Sequence, residues 1–197
     1  MATLLPQVVL ARHGETAWSL SGQHTSFTDL PLTEHGEANA RALCARLWGQ
    51  RFSKVLSSPL TRARQTCDLA GFDEADIDVD LVEWNYGEYE GRTTTEIQRE
   101  RPDWNLFRDG CPGGESPDQV GARADRALAR LRSIEGHILI FSSGHFLRVL
   151  AARWLGFAAS EGRLFHLSTA SLSILSYEHT LDEPVIRLWN DDRHVAD

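Results

Sequence analysis

Cysteine is scarce in this 197-residue chain: Cys44, Cys67 and Cys111 are odd in number, widely spaced and form no CxxC pair. That argues against a disulfide framework or a cysteine-built zinc site, and it fits a reducing cytoplasm. Positive charge is also in short supply, with 20 Lys and Arg against 28 Asp and Glu and a net charge of −8. A field of that sign repels polyphosphate, so neither nucleic acid nor an anionic membrane is an expected partner, and any anion site must be local. No stretch approaches 18 uninterrupted apolar residues, and the start, MATLLPQVVLARHG, has no basic flank and is interrupted by Pro6, unlike a signal peptide. Repeats, low-complexity tracts and linkers are missing. Neither HExxH nor an Asp-rich loop occurs among the eight histidines and 28 acids, so no metal and no cofactor is expected.

What is present is ordinary for a folded soluble protein: 42% hydrophobic and 24% charged residues. The length predicts one domain over residues 1–197 with a substantial core. Gln7 to Ala11 reads as a strand buried on both faces and ended by the polar turn Arg12 to Thr16. A helix is predicted over Glu34 to Trp48, with Thr33 as N-cap and Gly49 as stop. After a short strand, Lys54 to Ser57, Ser58 and Pro59 read as N-cap and N1 of a helix running toward Gly71. Ile77 to Glu83 reads as a strand leading into the loop WNYGEYEGR. The stretch from Thr93 to Pro117 mixes a short helix with the breaker cluster DGCPGGESP and reads as part of a lid inserted over about 84–117. A helix follows over Ser116 to Arg132, then the strand His137 to Ser142, the turn Ser143-Gly144 and a helix from His145 to Leu155. Two further strands, Ser171 to Tyr177 and Val185 to Trp189, complete an edge of the sheet, which leaves self-association open. The pattern predicts a three-layer α/β/α sandwich around a mostly parallel sheet.

Chemistry concentrates at strand ends, the rim where α/β sheets collect ligands. Arg12-His13-Gly14-Glu15-Thr16 follows a buried strand. A held imidazole is a competent nucleophile, and phosphoryl transfer needs its oxygens positioned and neutralised, which arginine forks do well. In SSPLTRARQT, Arg62 and Arg64 sit in the first turns of a helix, where the dipole already disfavours cations and an anion would resolve the conflict. Glu83, at the end of its predicted strand, is a candidate general acid and base, with Glu88 and Glu90 as rivals.

Taken in order, LARHGET, DLPLTEHG, SSPLTRARQT and EWNYGEYEG resemble the motifs of the histidine phosphatase superfamily, which includes cofactor-dependent phosphoglycerate mutases and broad-specificity phosphatases. The likeness covers nearly the whole chain. It implies that His13 is phosphorylated on a ring nitrogen, that Arg12 and Arg62 grip the phosphoryl oxygens, and that Glu83 protonates the leaving alkoxide and then activates water. SGQHTSFTDLPLT, WNLFRDGCPGGES and LSILSYEHTLDEP are similar to the sedoheptulose-bisphosphatase and small acid phosphatase branch. The implied reaction is hydrolysis of a small phosphorylated metabolite, a sugar phosphate or bisphosphate, by a cytoplasmic enzyme. Substrate contacts then fall to Ser19, His24, Thr25, Ser26, Tyr86 and the backbone around Gly144, with Trp84, Trp104 and Phe107 either walling the lid or simply packing. A second phosphate would meet His24, Arg92, Arg108 or Arg148.

One departure matters. Ser143 stands where the family pattern has a phosphoryl-binding histidine, and His145 lies two residues later. His145 is left with three roles: reaching the same oxygen, contacting substrate, or capping the helix. Without compensation, loss of one oxyanion donor slows turnover about 100- to 1,000-fold. Ser19 and Ser26 depart from the pattern more mildly, since each keeps or adds a hydroxyl. A cofactor-dependent mutase and an impaired phosphate-binding or regulatory homologue are the two other readings.

Overall fold

A computed structural model of the chain describes residues 5–195. In chain order the elements begin with β1 (Val8–Arg12), α1 (Ala17–Ser21), α2 (Glu34–Leu47), β2 (Lys54–Ser57), α3 (Thr61–Leu69) and β3 (Asp76–Ile77). There follow α4 (Thr94–Glu100), α5 (Leu106–Asp109), α6 (Pro117–Arg132), β4 (Ile138–Ser142), α7 (Gly144–Trp154), β5 (Leu172–Tyr177) and β6 (Pro184–Asp191). The strands form one six-stranded sheet in the order β3-β2-β4-β1-β5-β6. Neighbours from β3 through β1 pair in parallel, whereas β5 runs antiparallel to both β1 and β6.

Alternation along the two central strands builds the layers. Val8, Leu10, Ile138 and Ile140 face one cluster, which includes Val120, Ala124, Ala127 and Leu131 of α6 and Val149 and Leu150 of α7. Val9, Ala11, Leu139 and Phe141 face the other, closed by Leu43 and Leu47 of α2 and Cys67 of α3. A strand buried on both faces cannot tolerate polar residues, which is why VVLA and ILIF read as continuous apolar runs. Each such Leu, Ile or Phe side chain contributes about 1.5–3 kcal/mol on burial. The α/β sandwich expected from the sequence is what forms.

Three local expectations are corrected. The helix after β2 starts at Thr61 with Leu60 as its cap residue, not at Ser58-Pro59. The Ser58 hydroxyl lies 3.5 Å from the Leu60 amide, and the first free amide of the helix turns to a carboxylate from another loop. The predicted strand Ile77 to Glu83 is only β3, because the Asp78 carboxylate accepts from the Asp80 amide at 2.9 Å and turns Val79–Leu81 into a 3₁₀ helix. The lid expected over about 84–117 is not separate from the core: its Trp84, Tyr86, Tyr89, Trp104 and Phe107 belong to one cluster with Leu10 and Ile140. Among the described residues, no helix is long and apolar enough to cross a membrane.

Candidate active site

The loop after β1 is held from both sides. The His13 amide donates to the Ser142 carbonyl at 3.0 Å, and the Ala170 amide donates to the His13 carbonyl at 3.0 Å. The Gly14 amide donates to Thr66 Oγ1 at 2.9 Å. Gly14 packs against the first turn of α2 backbone to backbone: a Cβ there would stand 2.5 Å from the Gly36 carbonyl oxygen, and one on Gly36 would stand 2.2 Å from that of Glu15. The imidazole of His13 is 5% exposed, and its Nδ1 lies 2.8 Å from the Gly14 carbonyl oxygen. A carbonyl only accepts, so Nδ1 carries the hydrogen and Nε2 presents its lone pair. Burial, then Arg62 and Arg12, hold the ring's pKa well below the ordinary histidine value. That shift favours the neutral ring, in which Nε2 keeps its lone pair.

Two guanidinium groups account for that field. Arg12 ends β1, donates to the Leu167 carbonyl and lies against Gly144, where a Cβ would come within 3.1 Å of its Cζ. Arg62, 0% exposed in the first turn of α3, donates through Nη2 to the Thr25 and Ser26 carbonyls at 3.1 and 3.0 Å and through Nη1 to that of Thr28 at 3.3 Å. The conflict between this cation and the helix dipole is met by Asp29, which accepts from the Thr61 amide at 2.8 Å and from its hydroxyl at 2.7 Å. Nε of both arginines is buried without a hydrogen-bond acceptor among the described residues. Burial lowers the pKa of both groups, while the charge of Glu83 raises it. Arg64, its partner in the sequence motif, is exposed and takes no part.

Glu83, 5% exposed, lies at the N-terminus of α7. Its Oε1 accepts from the amides of Trp84 and Phe146, both at 2.8 Å, and its Oε2 from the amide of His145 at 3.0 Å. These bonds take the capping positions, and Ser143, the N-cap residue, makes no side-chain cap bond. With two donors on Oε1 and one on Oε2, the lone pair left over for a proton is on Oε2. Neither rival acid is placed to compete. Glu88 is exposed, and Glu90 accepts from the amides of Ser26 and Thr28 at 2.8 and 3.1 Å, so it braces the loop that holds Arg62.

Arg12, His13 and Glu83 open into a cavity of about 220 Å³ whose walls include Ser19, His24, Thr25, Tyr86, Gly144 and His145. Three predicted residues, Arg62, Ser26 and Ser143, do not line it, Arg62 lying fully buried beneath. Ser26 and Ser143 are fully buried, with Oγ unpartnered among the described residues. The Ser19 hydroxyl is engaged locally, 2.8 Å from the Thr16 amide in the capping box that starts α1. Tyr86 Oη and His145 Nδ1 are 2.6 Å apart, and the His24 ring stacks tilted over Tyr86 with centroids 4.7 Å apart. Burial pushes His24 down to about 4, holds His145 well below its ordinary value and raises Tyr86. The part of the wall formed by His24, Tyr86 and His145 is neutral above a cationic floor. Of the groups considered for a second phosphate, His24 and Arg148 line the cavity, whereas Arg92 pairs with Glu100 and Arg108 with Asp109 on the surface. Trp104 and Phe107 pack behind the wall, 5.6 Å from the His24 ring and 5.5 Å from the His145 ring respectively.

Sequence reasoning missed Gln23 and Thr94, which line the cavity, and Thr66, which braces Gly14. Thr66 is legible only in retrospect, as the residue one helical turn after Arg62 on the same face.

Residues 8–192 match the model of the histidine phosphatase superfamily, branch 1. The chain is 41% identical over 178 residues to an acid phosphatase of Mycobacterium tuberculosis, covering 88% of this chain and 87% of that protein. It is 33% identical over 255 residues to the sedoheptulose 1,7-bisphosphatase of Saccharomyces cerevisiae, covering 95% and 94%. A solved structure of a Mycobacterium tuberculosis open reading frame product superposes with a TM-score of 0.89 at 38% identity, over 93% of this chain and 96% of that one.

Proposed function

Because the chain belongs to the histidine phosphatase superfamily, branch 1, we propose that this phosphoric monoester hydrolase acts on a small sugar phosphate or bisphosphate through a phosphohistidine on His13. The observation that carries the reading is an imidazole with its tautomer fixed by Gly14, in the field of two arginines whose Nε groups have no acceptor among the described residues. Nε2 of His13 bonds to phosphorus while the ester P–O bond breaks, and Oε2 of Glu83 gives its proton to the departing oxygen. Glu83, now a carboxylate, takes a proton from water as that water's oxygen attacks phosphorus, and the N–P bond breaks to release phosphate. Arg12 and Arg62 neutralise the equatorial oxygens throughout, the main task in a phosphoryl transfer.

The neutral wall of His24, Tyr86 and His145 offers hydrogen bonds suited to sugar hydroxyls, and the names of the acid phosphatase and sedoheptulose bisphosphatase relatives support the same substrate class. The free thiols Cys44, Cys67 and Cys111 support a reducing cytoplasm as the compartment.

Rapid quench of the enzyme with a labelled sugar bisphosphate is expected to trap an acid-labile phosphoprotein, and His13→Ala to trap none and to lose turnover. Wild-type turnover in that variant would overturn the reading. Since burial and the two arginines hold the pKa of His13 below the ordinary histidine value, His13 itself is expected to set no acid limb of kcat/KM near pH 6.5. Phosphohistidine trapping in wild type across that range, with His13→Gln as the blank, checks it. Comparable rates on sedoheptulose bisphosphate, fructose bisphosphate, phosphoglycerates and an aryl phosphate would discard the sugar-bisphosphate assignment.

A further inference from the structure

Behind Glu83 is an ion pair that takes no part in the chemistry described, between Arg123 of α6 and Glu115, just before that helix. Arg123 is 6% exposed, and all five of its N–H groups have an acceptor. Nη1 donates to the carbonyls of Asp80 and Val82 at 2.9 and 2.7 Å, and Nη2 to the carbonyl of Glu83 itself at 3.1 Å. The remaining two bonds, Nε to Glu115 Oε1 at 2.9 Å and Nη2 to Glu115 Oε2 at 2.8 Å, form a bidentate fork.

Glu115 completes the grip from the other side. Its Oε2 accepts from the Asn85 amide at 2.8 Å, its own amide donates to the Asn85 carbonyl at 2.9 Å, and its carbonyl accepts from Trp84 Nε1 at 2.9 Å. The guanidinium also lies 4.6 Å above the ring of Phe146, whose amide is one of the donors to the Glu83 carboxylate. Residues 80 to 85, which have no strand to hold them, are thus fixed at backbone level to α6 and to the N-terminus of α7.

We propose that Arg123, clasped by Glu115, is a positioning residue that sets Glu83 so that Oε2 faces the phosphoryl site. This rests on the reading of Glu83 as general acid. The pair carries no net charge, so it acts by geometry. Lysine cannot reproduce the effect, because one ammonium cannot span three carbonyls and a carboxylate fork.

The test uses leaving groups that differ in their need for a proton. In single-turnover measurements of phosphohistidine formation, Arg123→Lys is expected to slow an alkyl phosphate about tenfold or more, part of the 10²- to 10⁴-fold that general acid catalysis supplies. It should slow 2,4-dinitrophenyl phosphate, whose leaving group departs unprotonated, less than about threefold, with KM little changed for either ester. A purely structural role moves both rates together. Glu83→Gln, measured in parallel, should show the same selective loss. If it does and Arg123→Lys falls equally on both esters, the positioning role is wrong and the reading of Glu83 stands. If Glu83→Gln itself falls equally on both, the general-acid reading fails and the positioning role falls with it. Should Arg123→Lys not fold, Glu115→Gln, which keeps the side chain's shape, is judged by the same ratio of rates.

Discussion

A histidine that burial keeps neutral builds a pH dependence into the native state. His24 titrates at about 4 in the fold, against about 6.5 in an unfolded chain. Between those values the unfolded chain binds a proton that the native one does not, so the contribution of His24 is complete above about pH 6.5 and is lost as pH falls to 4. The slope is at most about 1.4 kcal/mol per pH unit for one group. His13 and His145 shift the same way and steepen the loss. His24→Gln therefore flattens the fall of the urea midpoint between pH 6.5 and 4.5 by one group's share, and an unchanged slope would mean that His24 does not stay neutral there. At this scale the sequence marks residues whose chemistry is rare in their setting, such as an RHG after a buried strand. It does not mark Arg123, whose partners are mostly main-chain carbonyls, nor does it tell that Ser143 sits behind the cavity wall and not on it.

Elements whose signals lie within one segment were legible, and those that depend on a distant partner were not. Thr33 caps α2, and Ser116 with Gln119 makes the capping box of α6, each within four residues of its helix start. The start of α3 depends instead on Asp29, 32 positions away in sequence. Likewise the turn that ends β3, made locally by Asp78, is anchored by pairs from Asp78 and Asp80 to Arg126 and Arg130 of α6, some fifty positions away. The Asp29 contact joins structure to chemistry, since the carbonyls of the preceding residues 25, 26 and 28 hold Arg62. Asp29→Ala should cost about 1 kcal/mol of stability, the usual value of a lost cap, and lower kcat/KM beyond what partial unfolding explains. Asp29→Asn, which keeps an acceptor, should fall between. Chemical denaturation and kinetics on the same samples decide it: full activity in the alanine variant would show that Arg62 is held without the cap.

For the molecule as a whole, the central contrast is a net charge of −8 around a site built from cations. The overall field does nothing to attract phosphate, so any stabilisation by that ion must come from the cluster of Arg12, His13 and Arg62, and it is separable from ionic strength. A ligand that binds only the native state stabilises it by about 2.7 kcal/mol at 100 times its Kd. Phosphate should therefore raise the Tm above that in chloride of equal ionic strength. Arg12 has one backbone acceptor, at Leu167, and a buried Nε without one, so the fold bears a desolvation cost for it that binding recovers. A buried cation with unmatched N–H groups costs the fold desolvation energy, which an apolar chain of similar length does not. Arg12→Met is accordingly expected to melt no lower than wild type in chloride and to lose the increment from phosphate. Equal stabilisation of the variant by phosphate would place the anion elsewhere, and a large loss of Tm in chloride would mean that the guanidinium serves the fold before it serves the reaction.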